Sequence, residues 1–343
     1  MDIKYDIKTV GTIEEYINAL KNGYIHVSLA YPMPLFFGLN DVEDCEHYIS
    51  QQIMLIETLR KHRHESSIFK YSYVSAMMAT DENGILFAFD ADAALTEAMS
   101  LVDIKFADID SLLMKLADCF ERIGDYEKAA LCYIKASEFG DIMAKFHLAQ
   151  FYENGIGVSQ DYEKAAELYT YVAENSDELS LCGDPDDSLF PKCDAEYALG
   201  NLYEKSLIPN STIEISMEWY LRAFKNGSYN AALRLAEIYL IGKGVAQDYS
   251  KSASYLINAT EMWGGKDDEH IFPLAKQLEN KEISVYNKLE ICRLLHHCYS
   301  SGVGTDMDHA MAEEYANKIS ILEAQQEKEY ESWLKKLGKN NKL

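Results

Sequence analysis

Four small groups of residues have types and spacings that chemistry could use. Asp90 and Asp92 stand two apart at the end of a segment that reads as a strand, where paired carboxylates hold a divalent metal. Solvated strand-end and helix-capping aspartates are the commoner use of the same pattern. Cys292, His296, His297 and Cys298 bring zinc-ligand types into one helical stretch, and the four-residue step from Cys292 to His296 puts those two on one face. The loop from Glu174 to Asp194 carries Asp177, Glu178, Asp184, Asp186 and Asp187. It is as acidic as a calcium loop, but it lacks the Asp-x-Asp-x-Asp-Gly order and the distal bidentate glutamate. Lys61-His62-Arg63-His64 is a basic island suited to an anion or, at a helix C-terminus, to the helix dipole. The sequence shows no nucleophile paired with a base, no phosphate loop and no Cys-x-x-Cys pair. It assigns no catalytic, cofactor-binding or metal residue.

The elements that carry these groups are dominated by a repetition. Tyr152-Glu153-Asn154-Gly155-Ile156-Gly157-Val158-Ser159-Gln160-Asp161-Tyr162 returns as Tyr239-Leu240-Ile241-Gly242-Lys243-Gly244-Val245-Ala246-Gln247-Asp248-Tyr249, and in worn form as Tyr299-Ser300-Ser301-Gly302-Val303-Gly304-Thr305-Asp306. Before each turn lies an amphipathic run, such as Ala144, Leu148, Ala149, Phe151 and Tyr152, whose steps of three and four make one helical face. After it comes a second run, Tyr162, Ala165, Ala166, Leu168, Tyr169 and Ala173, with alanines where a neighbouring helix must come close. Gly155 and Gly157 suit positive-φ positions, and Asp161 stands where an N-cap belongs. The unit reads as helix, glycine turn, helix. A copy at Asn201-Leu202-Tyr203-Glu204 continues as Lys205-Ser206-Leu207-Ile208-Pro209-Asn210 and must turn without glycine. An earlier one, Leu116 to Glu121, passes straight through Gly124-Asp125-Tyr126-Glu127-Lys128-Ala129-Ala130. Laid on the preceding copy, Cys292, His296 and Cys298 fall on Ala232, Ala236 and Ile238, which favours packing over zinc.

This pattern, Ala-x-x-x-Leu-(Ala/Gly)-x-x-Tyr-x-x-Gly-x-Gly-Val-x-x-Asp-Tyr-x-Lys-Ala, resembles the Sel1-like repeat, a relative of the tetratricopeptide family, over roughly residues 108–320. The resemblance implies a right-handed superhelix with a concave face that works as an adaptor or scaffold, commonly in bacterial signalling, secretion or host contact. The family brings no catalytic residues. The fold expected is mainly α, an α-solenoid of Sel1-like, TPR-like helix pairs with a small N-terminal α+β domain. Residues 1–105 form that domain, 106–320 the solenoid, and 321–343 a capping helix with a basic tail. The structural signature is Gly155, Gly157, Asp161, Tyr162, Gly242, Gly244, Asp248, Tyr249, Gly302 and Gly304, and the partner-binding residues are unassigned.

Within residues 1–105, Thr12 to Asn22 reads as a capped helix, Tyr24 to Ala30 as a strand and Asp41 to Arg63 as a longer helix. Ile68 to Met78 and Ile85 to Phe89 bracket Asp81-Glu82-Asn83-Gly84 as a hairpin, and Asp92 to Val102 returns to helix. At the other end, Lys328, Lys335, Lys336, Lys339 and Lys342 surround Trp333 in a terminal cap.

With 56 acidic against 32 basic residues, the net charge of −24 repels nucleic-acid phosphate and anionic membrane and favours a basic partner. No run of about twenty apolar residues is present, and the start is not a secretory signal, which points to the cytoplasm unless a dedicated machine exports the chain. Seven cysteines without a paired motif fit a reducing compartment, although Cys182 and Cys193 share one loop and have a pairing open to them. Most of the 24 tyrosines fall at repeat-core positions. The function expected is a non-enzymatic scaffold that binds a protein partner. It takes its most specific forms as a bacterial immunity protein that neutralises a secreted toxin or as a host-directed effector. The competing reading is an enzyme whose N-terminal domain does the chemistry, with Asp90 and Asp92 as candidates, while the repeats recruit substrate.

Overall fold

The computed structural model describes residues 3–6, 8–29, 42–79, 89–176, 191–262 and 269–340. Its contacts divide into two compact units, Met1–Leu168 and Tyr169–Leu343. The first opens with strand β1 (Lys8–Val10), helix α1 (Ile13–Lys21) and strand β2 (Val27–Leu29). The strands pair in parallel, Lys8 opposite Val27, and α1 is the crossover between them. Thr12 caps α1 by accepting from the Glu15 amide at 3.2 Å. Tyr24 makes a single bridge to Lys4, so the strand expected from Tyr24 begins three residues later.

Helices α2 (Val42–His62), α3 (Ser67–Met77) and α4 (Ala91–Asp103) follow. The segment Ile68–Met78 is therefore a helix and not the hairpin strand that its sequence suggests. Ser66 caps it, and Ile68, Phe69, Tyr71, Ser72, Tyr73, Val74 and Met77 are all buried. A helix with most of its residues buried has too narrow a polar face to reveal its period, so its aromatic content alone mimics a strand. The turn 81–84 and residues 85–88 lie outside the described residues.

From α5 (Ile109–Arg122) and α6 (Tyr126–Glu138) to α7 (Ile142–Asn154), each helix packs on the next. One hydrophobic cluster joins Val10 and Leu20 to Val74, Leu101, Leu116, Tyr133 and Phe151, so α1–α4 and the first repeat helices share a core. Helix α8 (Tyr162–Asn175) crosses the division between the units.

The second unit continues with α9 (Pro191–Glu204), α10 (Ile213–Lys225), α11 (Tyr229–Ile241), α12 (Tyr249–Glu261), α13 (Ile271–Leu278), α14 (Val285–Ser301) and α15 (His309–Asn340). Within it α9 pairs with α10, α11 with α12 and α14 with α15, each pair leaning on its neighbour. This nearest-neighbour stacking is how a repeat array buries its core. Helix α15 runs without a break from His309 to Asn340.

Candidate interaction surface

The repeat turns set how closely consecutive helix pairs approach. Gly155 ends α7 at φ 68°, and its amide donates to the Phe151 carbonyl. A side chain there would meet only its own loop, at Gln160 Cβ 3.2 Å away. Gly157, at φ 65°, does something else: a Cβ would lie 2.0 Å from the Tyr126 carbonyl oxygen, where α6 begins. The other turns repeat this division. At Gly244 the obstacle is Ile213 Cγ2 at 2.4 Å, on the first residue of α10, and at Gly304 it is the Glu269 carbonyl oxygen at 2.6 Å. The first glycine ends a helix; the second lets the turn rest on the start of an earlier helix.

Asp161, Asp248 and Asp308 then open the following helices. Asp161 accepts from the Lys164 amide at 3.0 Å, Asp248 from the Lys251 amide at 2.9 Å, and Asp308 from the Ala310 and Met311 amides at 3.0 Å each. The Lys164 amide bond holds the Asp161 carboxyl below the usual carboxylate range. Tyr162 and Tyr249 are the first residues of α8 and α12, and Lys281 sits 4.7 Å from the Tyr249 ring. The copy without glycine turns on Ser206 (φ 56°) and Asn210 (φ 58°), with the Leu207 amide donating to the Leu202 carbonyl at 3.0 Å.

Buried hydroxyls and charges tie the helices of the second unit together. Ser216 donates to the Gly200 carbonyl and Ser252 to the Ala236 carbonyl, at 2.8 and 2.7 Å. Glu204 accepts from the Tyr220 hydroxyl at 2.7 Å, from Lys243 at 2.6 Å and from the Arg234 guanidinium. Burial pushes the Glu204 carboxyl up, but the bonds from Arg234, Lys243 and Tyr220 outweigh it and hold it down to about 2. Glu279 is held the same way: burial raises it, while Lys276, Tyr315 and Lys318 bring it to about 2. Glu196, fully buried, meets Arg222 at 3.2 Å and Asn226 at 2.7 Å. In the first unit Tyr133 donates to Glu121 at 2.5 Å and stacks on His147 at 5.0 Å, and burial depresses the imidazole.

Half-open lines of residues run along single helices within each unit. On α5 the line is Ser111, Lys115, Asp118 and Arg122; on α7, Met143, His147, Gln150 and Asn154; on α11, Asn230, Arg234, Glu237 and Ile241. These positions step by three and four, and none is buried, while the rest of each helix is largely enclosed. A cleft of about 590 Å³ opens beside α5, lined by Ser75, Met78, Met114, Lys115, Asp118 and Arg122.

Of the four groups with chemical spacing, the three that lie among the described residues are held in structural contacts. Asp90 caps α4 by accepting from the Ala93 amide at 3.1 Å, and Asp92, largely exposed, reaches Lys128 at 3.1 Å, so the two carboxylates do not form a metal pair. Cys292 lies in the hydrophobic core of the second unit and Cys298 is buried, while His296 and His297 are half-buried. Among the described residues no three His, Cys, Asp or Glu side chains gather as a metal site requires. Lys61 and His62 end α2, His62 meets Glu65 at 2.5 Å and Arg63 meets Glu97 at 2.9 Å. The acidic stretch 177–190, with Cys182, lies outside the described residues. Burial pushes the thiols of Cys119, Cys132 and Cys298 up to about 11, 12 and 11, and raises that of Cys292.

A family model described as the Sel1 repeat matches residues 118–141, 142–177, 193–228 and 230–262. The chain carries Sel1 repeats. Stacked helical repeats in general present extended surfaces to other proteins. The turn at Gly302 and Gly304 lies beyond the matched residues. Among solved structures, a protective antigen of uropathogenic Escherichia coli displaying an SLR fold is 20% identical, the match covering 77% of this chain and 56% of that chain at a TM-score of 0.49. A Sel1 repeat protein from Oxalobacter formigenes is 18% identical over 66% of this chain and 98% of that one, at 0.42. An immunity protein from Pseudomonas aeruginosa is 17% identical over 61% and 82%, at 0.24. This chain thus spans little more than half of the E. coli antigen. No curated protein matches the sequence. No helix among the described residues is long and apolar enough to cross a membrane.

Proposed function

We propose that the Sel1 repeats hold a basic protein partner against the half-open lines of α5 and α7 in the first unit, with no chemistry of their own. The observation that carries the reading is the presence of four Sel1 repeats, at 118–141, 142–177, 193–228 and 230–262. Beside their packed faces, α5 and α7 each keep a half-open line, Ser111, Lys115, Asp118 and Arg122 on the one and Met143, His147, Gln150 and Asn154 on the other. Stacked repeats characteristically turn such a line into an extended binding surface. The sign of the partner follows from the net charge of −24, which accelerates encounter with a cationic protein and repels polyanions. In its most specific form the partner is a basic, secreted antibacterial toxin that the chain neutralises. Affinity capture from the native organism's lysate, at low and at moderate salt, tests the reading. One stoichiometric basic protein, with an association rate that falls as salt rises, is expected. Recovery of nothing above background at either salt, or of a partner indifferent to the substitution Gln150→Arg on α7, would overturn it.

A further inference from the structure

The motif Asp-Tyr-x-Lys occurs at 125–128, 161–164 and 248–251. Each time the aspartate caps a helix, and the lysine folds back over a ring of the helix before it. Lys128 lies 5.8 Å from Phe120, Lys164 5.1 Å from Tyr152 and Lys251 4.9 Å from Tyr239. The tyrosine of the motif is thereby left to a cation from elsewhere. Tyr249 has one: Lys281, from the segment between α13 and α14, sits 4.7 Å from its ring. Tyr126 stands at the same motif position in the first unit and is 44% exposed.

A cleft of about 590 Å³ opens at Tyr126, lined by Ile123, Gly124, Asp125, Tyr126, Glu127 and Gly157. Two glycines make the room: a Cβ on Gly124 would touch nothing, and Gly157 lays bare backbone against the Tyr126 carbonyl. An aliphatic stem can lie along Ile123, itself 48% exposed, and along the Tyr126 ring. Asp125 is already engaged, capping α6 and pairing with Lys128 at 2.9 Å, so the carboxylate that meets a visitor is the exposed Glu127. The positive end of the α6 dipole opposes a cation here, but Tyr249 opens α12 in the same way and Lys281 sits over it nonetheless. An anion would meet that same Glu127 and a net charge of −24.

We propose that this cleft receives a lysine or arginine side chain of the protein partner, with its stem along Ile123 and its charged head over Tyr126 beside Glu127. The proposal rests on the reading of the partner as basic, and it adds a contact at the start of α6, outside the lines on α5 and α7.

Isoleucine-methyl NMR of the full-length chain, titrated with acetylated and amidated tetralysine, is the test, because Ile123 lines the cleft. A saturable shift of the Ile123 methyl is expected. Glu127→Gln and Tyr126→Leu should each weaken binding about two- to fivefold, with helical circular dichroism unchanged. Glu163→Gln removes the same charge at the same position of the next motif and should leave the affinity as it was. A still Ile123 methyl overturns the proposal, as does Tyr126→Leu without effect. Equal weakening by Glu127→Gln and Glu163→Gln also overturns it, since that is the pull of the whole chain's charge. A captured basic partner that binds Tyr126→Leu as tightly as the natural chain would remove the cleft and leave the basic-partner reading standing. Capture of no basic partner, with Ile123 still moved by tetralysine, would sink that reading and keep the cleft's preference for a cation.

Discussion

Alanine at Gly155 and at Gly157 separates backbone conformation from helix spacing within one turn. Both glycines have positive φ, 68° and 65°, so either alanine carries the left-handed strain of about 1–2 kcal/mol. At Gly155 little is added, because the nearest atom is Gln160 Cβ at 3.2 Å in the same loop. At Gly157 the new methyl would sit 2.0 Å from the Tyr126 oxygen, 2.5 Å from its carbonyl carbon and 3.0 Å from the Glu127 nitrogen. All three are backbone atoms at the start of a helix, so relief requires α6 itself to move, an overpacking cost of a further 1–3 kcal/mol or so. The totals are about 1.5 kcal/mol for Gly155→Ala and about 3.5 kcal/mol for Gly157→Ala. At roughly 2–4 °C per kcal/mol for a chain of this size, calorimetry should show shifts of about 4 °C and about 10 °C. Hydrogen exchange should place the larger loss at the first turn of α6. Gly302→Ala and Gly304→Ala provide a second copy of the experiment, since the first has nothing nearer than 3.7 Å and the second meets the Glu269 oxygen at 2.6 Å. Equal shifts within a pair, or a larger shift from the first glycine, would refute the assignment of distinct jobs.

Glu204→Gln should cost about 2 kcal/mol at neutral pH, against an upper figure of about 3 from the fall of its carboxyl from 4.5 to about 2. Because the folded-state value is depressed, this stabilisation is complete above pH 4.5 and disappears as pH falls towards 2; urea melts across that window should slope for the natural chain and flatten for the variant. Gly200→Ala would place a methyl 2.4 Å from Tyr220 Cε1 and should lower stability by about 2 kcal/mol in the same melts, whereas a neutral result would mean that α9 and α10 separate at little cost. Gln150→Arg, on the half-open face of α7, should slow association with a basic partner several-fold with no change in melting temperature, as read by surface plasmon resonance.

The repeat register is legible in the sequence because its signals are local: a helical face, a glycine that ends it and an aspartate that caps the next helix. The second function of Gly157 is not, since the letter glycine does not say which backbone will approach it. The pairing of β1 with β2 is hidden for a different reason. Strands of three residues hold too little alternation to register, and their partnership depends on a crossover. Helix α3 misleads because burial of most of its residues leaves too narrow a polar face for period counting. The Glu204 cluster left a trace that was there to be used. Glu121 with Tyr133 and Glu204 with Tyr220 stand at corresponding repeat positions, and Arg234 and Lys243 supply the cations where one copy has lost its turn glycines.

The buried thiols give this chain a set of built-in clocks. Cys132 on α6 and Cys292 and Cys298 on α14 are enclosed, and burial raises their thiols and keeps them protonated and unreactive at neutral pH. An alkylating reagent can mark such a sulfur only while its helix is open, so the order in which these positions are labelled ranks the breathing of separate parts of the array. Peptide mass spectrometry of the unaltered protein, alone and with a partner bound, would read out which helices the partner holds shut.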